Sequence, residues 1–335
     1  MTADHDGIRD LLAAWAFGAL EPADEKTVPP HLTVCESCAA EAERLRETVR
    51  LLEGPPSNGV PARPADGVLA GALRARPAAP RVAQHAAPYA AAVAGLRALL
   101  PEADRRWGTP VVHDWDVHAT LAHLLAADEP LAARLGVAAR LPSAPAADAG
   151  PGWEDAWNRR TAAVIAHEHG RTPEETVADW AAQADALLAT PEAGDPERAA
   201  RALTLMGIRL PVAEHFLVRA FEVWIHTDDI GRALGLPVPP PPAAHLWQLV
   251  RLAVRLLGLA LGPGAPPVLF TVTGGDQWVL GSDAEPVRAE LTLDPVDFCL
   301  LVGGRHTPDE VPRAATGDEA AVRNVLERAA SLAWL

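Results

Sequence analysis

The stretch PVAEHFLVRAFEVWIHTDDIGRALG, residues 211–235, decides the fold class of this chain of 335 residues. Its apolar residues recur at the three- and four-residue spacing of an amphipathic helix. Pro211 stands near the first turn and Gly235 provides the stop signal, the usual arrangement at helix ends. Segments of the same periodicity precede it, at about 83–107, 116–136, 153–169 and 174–190. Long amphipathic helices joined by loops predict an up-down four-helix bundle.

The chain beyond the bundle changes character. The proline-rich segment PVPPPPAA marks a boundary, so we assign residues 83–240 to the bundle and residues 241–335 to a separate module. After a helix at 244–262, PVLFTVTGGDQWVLG alternates like two strands around a Gly-Gly-Asp turn, and VRAELTLD predicts a third strand. Asp294 is expected to cap a helix that holds Cys299 in the core, and an amphipathic helix ends the chain. These patterns predict a small α+β domain.

The segments before the bundle predict a linker and a small helical domain. Residues 54–82 are rich in Pro, Gly and Ala and are typical of a linker, here with one short helix at 64–77. Residues 1–53 form a separate N-terminal domain. The predicted fold class is therefore mainly α, with a small helical domain, a bundle and an α+β module.

Composition restricts the functions that the chain can have. The formal charge is −15, which argues against direct nucleic-acid binding because phosphate contacts need a basic face. Three cysteines fit a reducing compartment better than a disulfide scaffold. The N-terminus lacks the features of a signal peptide. The longest uncharged run, residues 256–275, is broken by prolines and glycines, so we expect no membrane span and a cytoplasmic protein.

Three residues of the N-terminal domain predict a structural zinc site. His31, Cys35 and Cys38 stand as His-x3-Cys-x2-Cys, and the short Cys-x2-Cys spacing lets both sulfurs reach one tetrahedral ion. His5, 26 residues before His31, is the candidate for the fourth ligand, with water, Asp4 or Asp6 as alternatives. An exposed thiol pair beside an unrelated histidine is the competing interpretation.

A second set of candidate ligands belongs to the bundle. Glu222 and His226 are four residues apart, so both project from one helix face, and His123 on another helix could complete the set. Three protein ligands leave one coordination position for water or substrate, as in catalytic zinc sites. His215 lies on nearly the same face as Glu222 and is an alternative ligand. His118 is expected to be solvated or hydrogen-bonded.

The N-terminal segment resembles a known regulatory domain. WAFGALEPADEKTVPPHLTVCESCAAEAERLRETVRLL is similar to the zinc-binding anti-sigma domain of bacterial extracytoplasmic-function sigma regulators. The resemblance covers about residues 3–53 and implies that His5, His31, Cys35 and Cys38 bind zinc. It also implies a sigma factor as partner and a role in transcription regulation.

The remainder resembles a family of thiol-dependent enzymes. GTPVVHDWDVHATLAHLLAADE and the helix at 211–235 are similar to the DinB-like metal-binding bundle of mycothiol-dependent maleylpyruvate isomerases. The resemblance covers about residues 83–335 and implies metal ligands at His123, Glu222 and His226. The α+β module resembles that family's sterol-carrier-like domain. The chain departs from the family at Ala119, where an acidic residue is usual, and we expect a partner of a metal ligand to be missing.

These resemblances imply two competing functions. One is a mycothiol-dependent isomerase or S-transferase, in which a catalytic zinc lowers the pKa of a bound thiol and mycothiol acts on an electrophile. The segment LLVGGRHTPDE implies that Arg305 lies over this active site as a catalytic residue and pairs with a substrate carboxylate. The other is a non-catalytic zinc anti-sigma factor whose bundle senses a thiol or another ligand.

Overall fold

The computed structural model describes residues 5–20, 24–53, 81–138 and 152–332. The chain divides into two compact units, Met1–Ala78 and Ala79–Leu335. The short helix expected at 64–77 and all but the last two residues of the expected linker lie outside the described residues. The boundary that we expected near residue 240 falls inside the second unit.

The described part of the first unit contains three helices. They are α1 (His5–Ala16), α2 (Val28–Leu32) and α3 (Glu36–Glu53). A proline in the first turn of α2 suits a position whose N–H has no intrahelical partner. The helices pack around a small core made of Ile8, Leu12, Val28, Cys38 and Ala42. A core of this size stabilises a short domain only weakly.

The second unit begins with a helical bundle, as the periodicity predicts. Its helices are α4 (Ala87–Leu99), which continues as a 3-10 helix (Leu100–Arg106), α5 (Val117–Arg134), α6 (Trp153–Glu168), α7 (Pro173–Leu188), the short α8 (Pro191–Gly194) and α9 (Pro196–Ala199), and α10 (Val212–Leu234). α4, α5, α7 and α10 pack against one another as a four-helix bundle, and α6 covers α5. Gly235 ends α10 with φ +70°, a conformation that glycine adopts without strain.

Two short hairpins that the sequence patterns did not predict precede α5 and α10. β1 (Pro110–Val112) pairs with β2 (Trp115–Asp116), and β3 (Ala202–Leu205) pairs with β4 (Ile208–Pro211). Strands of two to four residues are too short to produce a recognisable alternation. Each hairpin leads directly into a helix of the bundle and fixes where that helix starts.

The C-terminal part of the second unit is an α+β layer, as predicted. It comprises α11 (Ala243–Leu261), β5 (Val268–Val272), β6 (Gln277–Leu280), β7 (Ala289–Leu293), α12 (Pro295–Val302), β8 (Arg313–Gly317) and α13 (Glu319–Ala330). The strand order is β6-β5-β7-β8, with β5 parallel to β7 and the other pairs antiparallel. Asp294 caps α12 by accepting the Val296 N–H at 2.8 Å, and Cys299 is fully buried, both as expected. β8 was not predicted, because all five of its residues are exposed and show no alternation.

One described helix, α11, is long and apolar enough to span a membrane by length and composition alone. Its inward residues, among them Leu249, Val250 and Leu257, belong to the core of the second unit. It packs against α4, α10, α12 and α13, so a core helix explains the composition.

Candidate metal centre

The candidate metal ligands of the bundle lie on two adjacent helices. Glu222 and His226 are one turn apart on α10, and His123 lies in the middle of α5, which packs against α10. Asp116 fixes the start of α5, since its side chain accepts the Ala119 N–H at 2.7 Å. All three candidate ligands are buried. The structure therefore brings together residues that are almost a hundred positions apart.

The donor atoms of these residues are spaced as a metal ion requires. Nε2 of His123 lies 3.6 Å and Nε2 of His226 lies 3.5 Å from Oε2 of Glu222. Both distances are long for hydrogen bonds. Ligands about 2.0–2.1 Å from a tetrahedral ion are separated by roughly 3.3–3.4 Å. The cluster fits a divalent metal, and its three protein ligands leave one corner open.

The protonation states of His123 and Glu222 suit metal binding. Burial lowers the pKa of His123 to about 4, so its imidazole is neutral. Burial alone would raise the pKa of Glu222, but contacts with His123 and His226 and the charge of Arg219 outweigh it and hold the pKa well below its usual range. Burial lowers the pKa of His226, but the contacts with Asp229 and Glu222 overcome this effect and leave the pKa raised. Glu222 is thus a carboxylate beside a neutral His123.

A second layer of contacts orients His226. Its Nδ1 lies 3.1 Å from Oδ2 of Asp229, which leaves Nε2 directed at Glu222. Nε of Arg305 donates to both oxygens of Asp229, at 3.0 and 3.2 Å, and its Nη2 also contacts this carboxylate. Arg305 lines the cavity beside the cluster. Its guanidinium is already paired with a protein carboxylate, which the sequence did not indicate.

His123 lacks the corresponding support. Its Nδ1 is buried and has no hydrogen-bond partner among the residues that the structure describes. Ala119 lies one turn earlier on α5 and is itself buried. The residue at which we expected a missing acidic partner thus stands one helical turn before a histidine whose buried Nδ1 needs a partner.

A buried polar network lies behind Glu222. Nη2 of Arg219 is 3.8 Å from Oε1 of Glu222, and its Nη1 donates to the carbonyl of Ala127 at 2.7 Å. Tyr89 donates its hydroxyl to Asp128 at 2.6 Å. Burial raises the pKa of Asp128 to about 6, although Arg219 and the Tyr89 hydrogen bond oppose this. The sequence analysis did not identify Tyr89 or Asp128, because neither belongs to a recognisable motif.

A cavity of about 480 Å³ opens beside the cluster. Its described lining comprises the three candidate ligands together with His113, Trp115, Trp153, Glu154, Trp157, Asn158, Phe221, Ile225, Gly303 and Arg305. Trp115 lies in the segment that resembles the isomerase bundle, whereas Trp153 and Trp157 belong to no recognisable motif. They stand one turn apart on α6, and this spacing is the only sequence feature that relates them. Trp224 lines a different pocket, and Trp278 packs near Phe270.

The competing histidines lie elsewhere. His215 places Nε2 3.1 Å from the carbonyl oxygen of Leu203 and does not join the cluster. His118 is buried with Nε2 2.8 Å from the hydroxyl of Thr176, which confirms the expected hydrogen bonding. The alternative in which His215 replaces a ligand does not match this geometry.

The first unit contains the second cluster, which the Cys-x2-Cys motif predicts. Nδ1 of His5 lies 3.6 Å from Sγ of Cys35 and 3.7 Å from Sγ of Cys38. A sulfur and a nitrogen bound to one tetrahedral zinc are separated by about 3.5–3.6 Å. His31 joins the same group, and its buried Nε2 has no partner in the described part of the chain. The cluster fits zinc, with His5 in the place for which water, Asp4 and Asp6 were alternatives.

The two thiols of this cluster differ. The contact with the Ser37 hydroxyl, together with the Cys38 backbone, lowers the pKa of Cys35 to about 6. Burial and the neighbouring Cys35 raise the pKa of Cys38. Cys35 therefore supplies the more readily formed thiolate, the form that binds metal.

The bundle is similar to one known protein family. Residues 86–231 match the mycothiol maleylpyruvate isomerase N-terminal domain family. The matched region contains His123, Glu222 and His226. No curated protein matches the chain. The anti-sigma resemblance of the first unit has no counterpart among these matches.

Solved structures give the fold of the larger unit. A crystal structure of a point mutant of mycothiol-dependent maleylpyruvate isomerase matches with a TM-score of 0.50 and 16% identity, covering 70% of this chain and 92% of that chain. The crystal structure of the unmutated isomerase matches with a TM-score of 0.49 and the same identity and coverage. At this identity the first match establishes a shared fold. The mainly α, DinB-like fold class is thereby confirmed.

Proposed function

We propose that the second unit is a metal-dependent enzyme in which a small thiol, mycothiol, acts on an electrophile as an isomerase or S-transferase. The observation that carries this proposal is the cluster of His123, Glu222 and His226, with one open corner beside a cavity of about 480 Å³. The family match of residues 86–231 supports mycothiol as the thiol. The bundle and the C-terminal module both contribute residues to this site, because Arg305 follows α12.

The chain's own residues prepare the site for thiol chemistry. A divalent metal at this cluster would lower the pKa of a coordinated thiol and make it a nucleophile at neutral pH. Glu222 contributes a full negative charge, while Asp229 holds Nδ1 of His226 so that Nε2 is available as a ligand. Aromatic side chains of the cavity limit the access of water to the reacting atoms.

The test uses the full chain loaded with zinc. Mycothiol binding is measured by calorimetry, and turnover is measured with maleylpyruvate and with other electrophiles. We expect mycothiol to bind the zinc-loaded wild type and to bind His123→Ala at least tenfold more weakly. Equal binding to both proteins would contradict the proposal.

A second candidate function concerns the first unit. We propose that it acts as a zinc-binding anti-sigma domain, which the cluster of His5, His31, Cys35 and Cys38 supports. Two large apolar side chains in this unit, Phe17 and Val34, are 61% and 82% exposed. Exposed apolar residues on a small helical domain favour a partner that packs on its helices.

Co-purification distinguishes this role from that of the bundle. The full chain is co-expressed with an extracytoplasmic-function sigma factor from the same genome. Replacing Cys35 and Cys38 with serine should abolish co-purification, while His123→Ala should preserve it. Co-purification lost only in His123→Ala would assign the partner to the bundle and contradict the anti-sigma role.

A further inference from the structure

We propose that the electrophile of the bundle site is an uncharged aromatic molecule rather than a dicarboxylate. The inference rests on the proposed thiol-dependent function and specifies its second substrate. It follows from two features of the cavity beside the metal cluster: the indoles in its wall and the partner of its arginine.

Three tryptophans form the aromatic wall of the cavity. The ring of Trp115 lies 4.6 Å from the ring of His123 at an interplanar angle of 30°, and the ring of Trp157 lies 5.9 Å from it in an edge-on arrangement of 69°. Trp153 lines the same cavity one turn before Trp157 on α6, and Phe221 adds a further ring. Aromatic faces stabilise a bound ring by stacking and edge contacts as well as by burial. The reacting carbon of an aromatic molecule held here would lie beside the open corner of the cluster.

The indole of Trp153 packs against the β3–β4 turn. Gly207 has φ +77°, and a Cβ at this residue would lie 2.6 Å from Nε1 of Trp153. The turn thus has room for the indole only because residue 207 lacks a side chain. Trp153 is therefore held against backbone, which suits a wall with a fixed shape.

The cavity offers no free cation for a dicarboxylate. Among the described residues that line it, Arg305 is the sole lysine or arginine. Its side chain is 13% exposed, and it pairs with Asp229 through Nε and Nη2. The exposed Glu154 and the buried Glu222 also line the cavity and add negative charge. A divalent metal and Arg305 together would carry three positive charges, which only balance the carboxylates of Asp229, Glu154 and Glu222. A bound thiolate would then make the site negative.

These charges disfavour a dianionic substrate, since each carboxylate would lose its hydration without gaining a counter-ion. An uncharged aromatic ring has no charged group to desolvate, and burial of its apolar surface favours binding. The matching reaction is substitution on an activated aryl chloride. The sulfur–carbon bond forms, the carbon–chlorine bond breaks, chloride leaves with the bonding pair, and the thiol proton passes to solvent.

The experiment compares two electrophiles with the zinc-loaded full chain and mycothiol. We expect kcat/KM for 1-chloro-2,4-dinitrobenzene to exceed that for maleate isomerisation at least tenfold. Calorimetry with unreactive probes provides a readout that does not depend on turnover, and 1-naphthol should bind more tightly than maleate. Higher kcat/KM for maleate, or tighter binding of maleate, would overturn the inference.

Tryptophan variants test the wall directly. Trp157→Leu should weaken 1-naphthol binding and raise KM for the aryl chloride by about three- to tenfold, with zinc content and mycothiol binding unchanged. Trp278→Leu, which removes an indole remote from the cavity, is the matched control and should leave all four values unchanged. Unchanged 1-naphthol binding in Trp157→Leu would overturn the inference.

Measured together, these results separate the two proposals. If mycothiol binds in a zinc-dependent manner but maleate is the preferred electrophile, the substrate class is wrong and the thiol-dependent function stands. If mycothiol does not bind and neither electrophile reacts, both proposals fail.

Discussion

The guanidinium of Arg305 is paired with the carboxylate of Asp229, and this carboxylate contacts Nδ1 of the candidate ligand His226. Arg305 follows α12 in the C-terminal layer, whereas Asp229 and His226 lie on α10 of the bundle. The pair therefore connects the C-terminal layer to the metal cluster. Nη2 of Arg305 also lies 3.4 Å from Nδ1 of His226, so the guanidinium contacts both the candidate ligand and the carboxylate that orients it.

The first prediction concerns Asp229. Asp229→Asn weakens both the hold on His226 and the pairing with Arg305, so zinc affinity of the bundle site should fall by about ten- to a hundredfold. Competition with a fluorescent chelator measures this affinity. Asp228→Asn is the matched control: Asp228 is the neighbouring residue on α10 and pairs with Arg232 instead, at 2.6 Å. Similar losses in both variants would show that the effect is general to this turn of the helix.

The second prediction concerns the number of bound metal ions. The two clusters share no residue, so the wild-type chain should bind two zinc ions. His123→Ala should remove the ion of the bundle and retain that of the first unit, because the deleted imidazole is a ligand of one cluster only. Elemental analysis of the purified protein measures the ratio. His215→Gln, which keeps a group able to reach the Leu203 carbonyl, should still bind two.

The third prediction concerns pH and Asp128. Its pKa is raised by burial to about 6 in the folded protein from 3.8, so the native state takes up a proton at a higher pH than the unfolded state does. Protonation of Asp128 therefore stabilises the folded protein as the pH falls through 6, and this contribution is absent at higher pH. Relative to Asp128→Asn, the wild type should gain on the order of 2 kcal/mol between pH 7 and pH 4.5.

Denaturant unfolding of both proteins in the presence of a chelator provides the measurement. The chelator removes the contribution of metal release, and the difference between variants cancels the titration of the other groups. A difference that stays constant over this pH range would show that Asp128 titrates normally.

The helices could be predicted from sequence because their signals are local. Pro211, Gly235 and Asp294 each mark a helix end, through backbone conformation or through a side-chain cap, and these effects act within a few residues. The ligand clusters could also be predicted, since Cys35 with Cys38 and Glu222 with His226 are close in sequence. The pairing of Arg305 with Asp229 joins residues 76 positions apart, and no local pattern encodes such a contact. The same holds for Trp153 and Trp157, which face the cavity only because α6 covers α5.

The last prediction concerns the first unit. Its described core consists of few side chains, and Cys38 is one of them, so bound zinc should supply much of the folding free energy. Cys35→Ser should lose the zinc of this unit and part of the helical circular dichroism signal, while the bundle keeps its own metal. Cys299→Ala is the control, because Cys299 is buried in the core of the second unit and belongs to neither cluster.

A chelator should reproduce the loss of circular dichroism signal in the wild type and add little to the loss in Cys35→Ser. If helicity instead survives in the metal-free wild type, the apolar core alone folds the first unit, and the cluster binds metal without being needed for the fold.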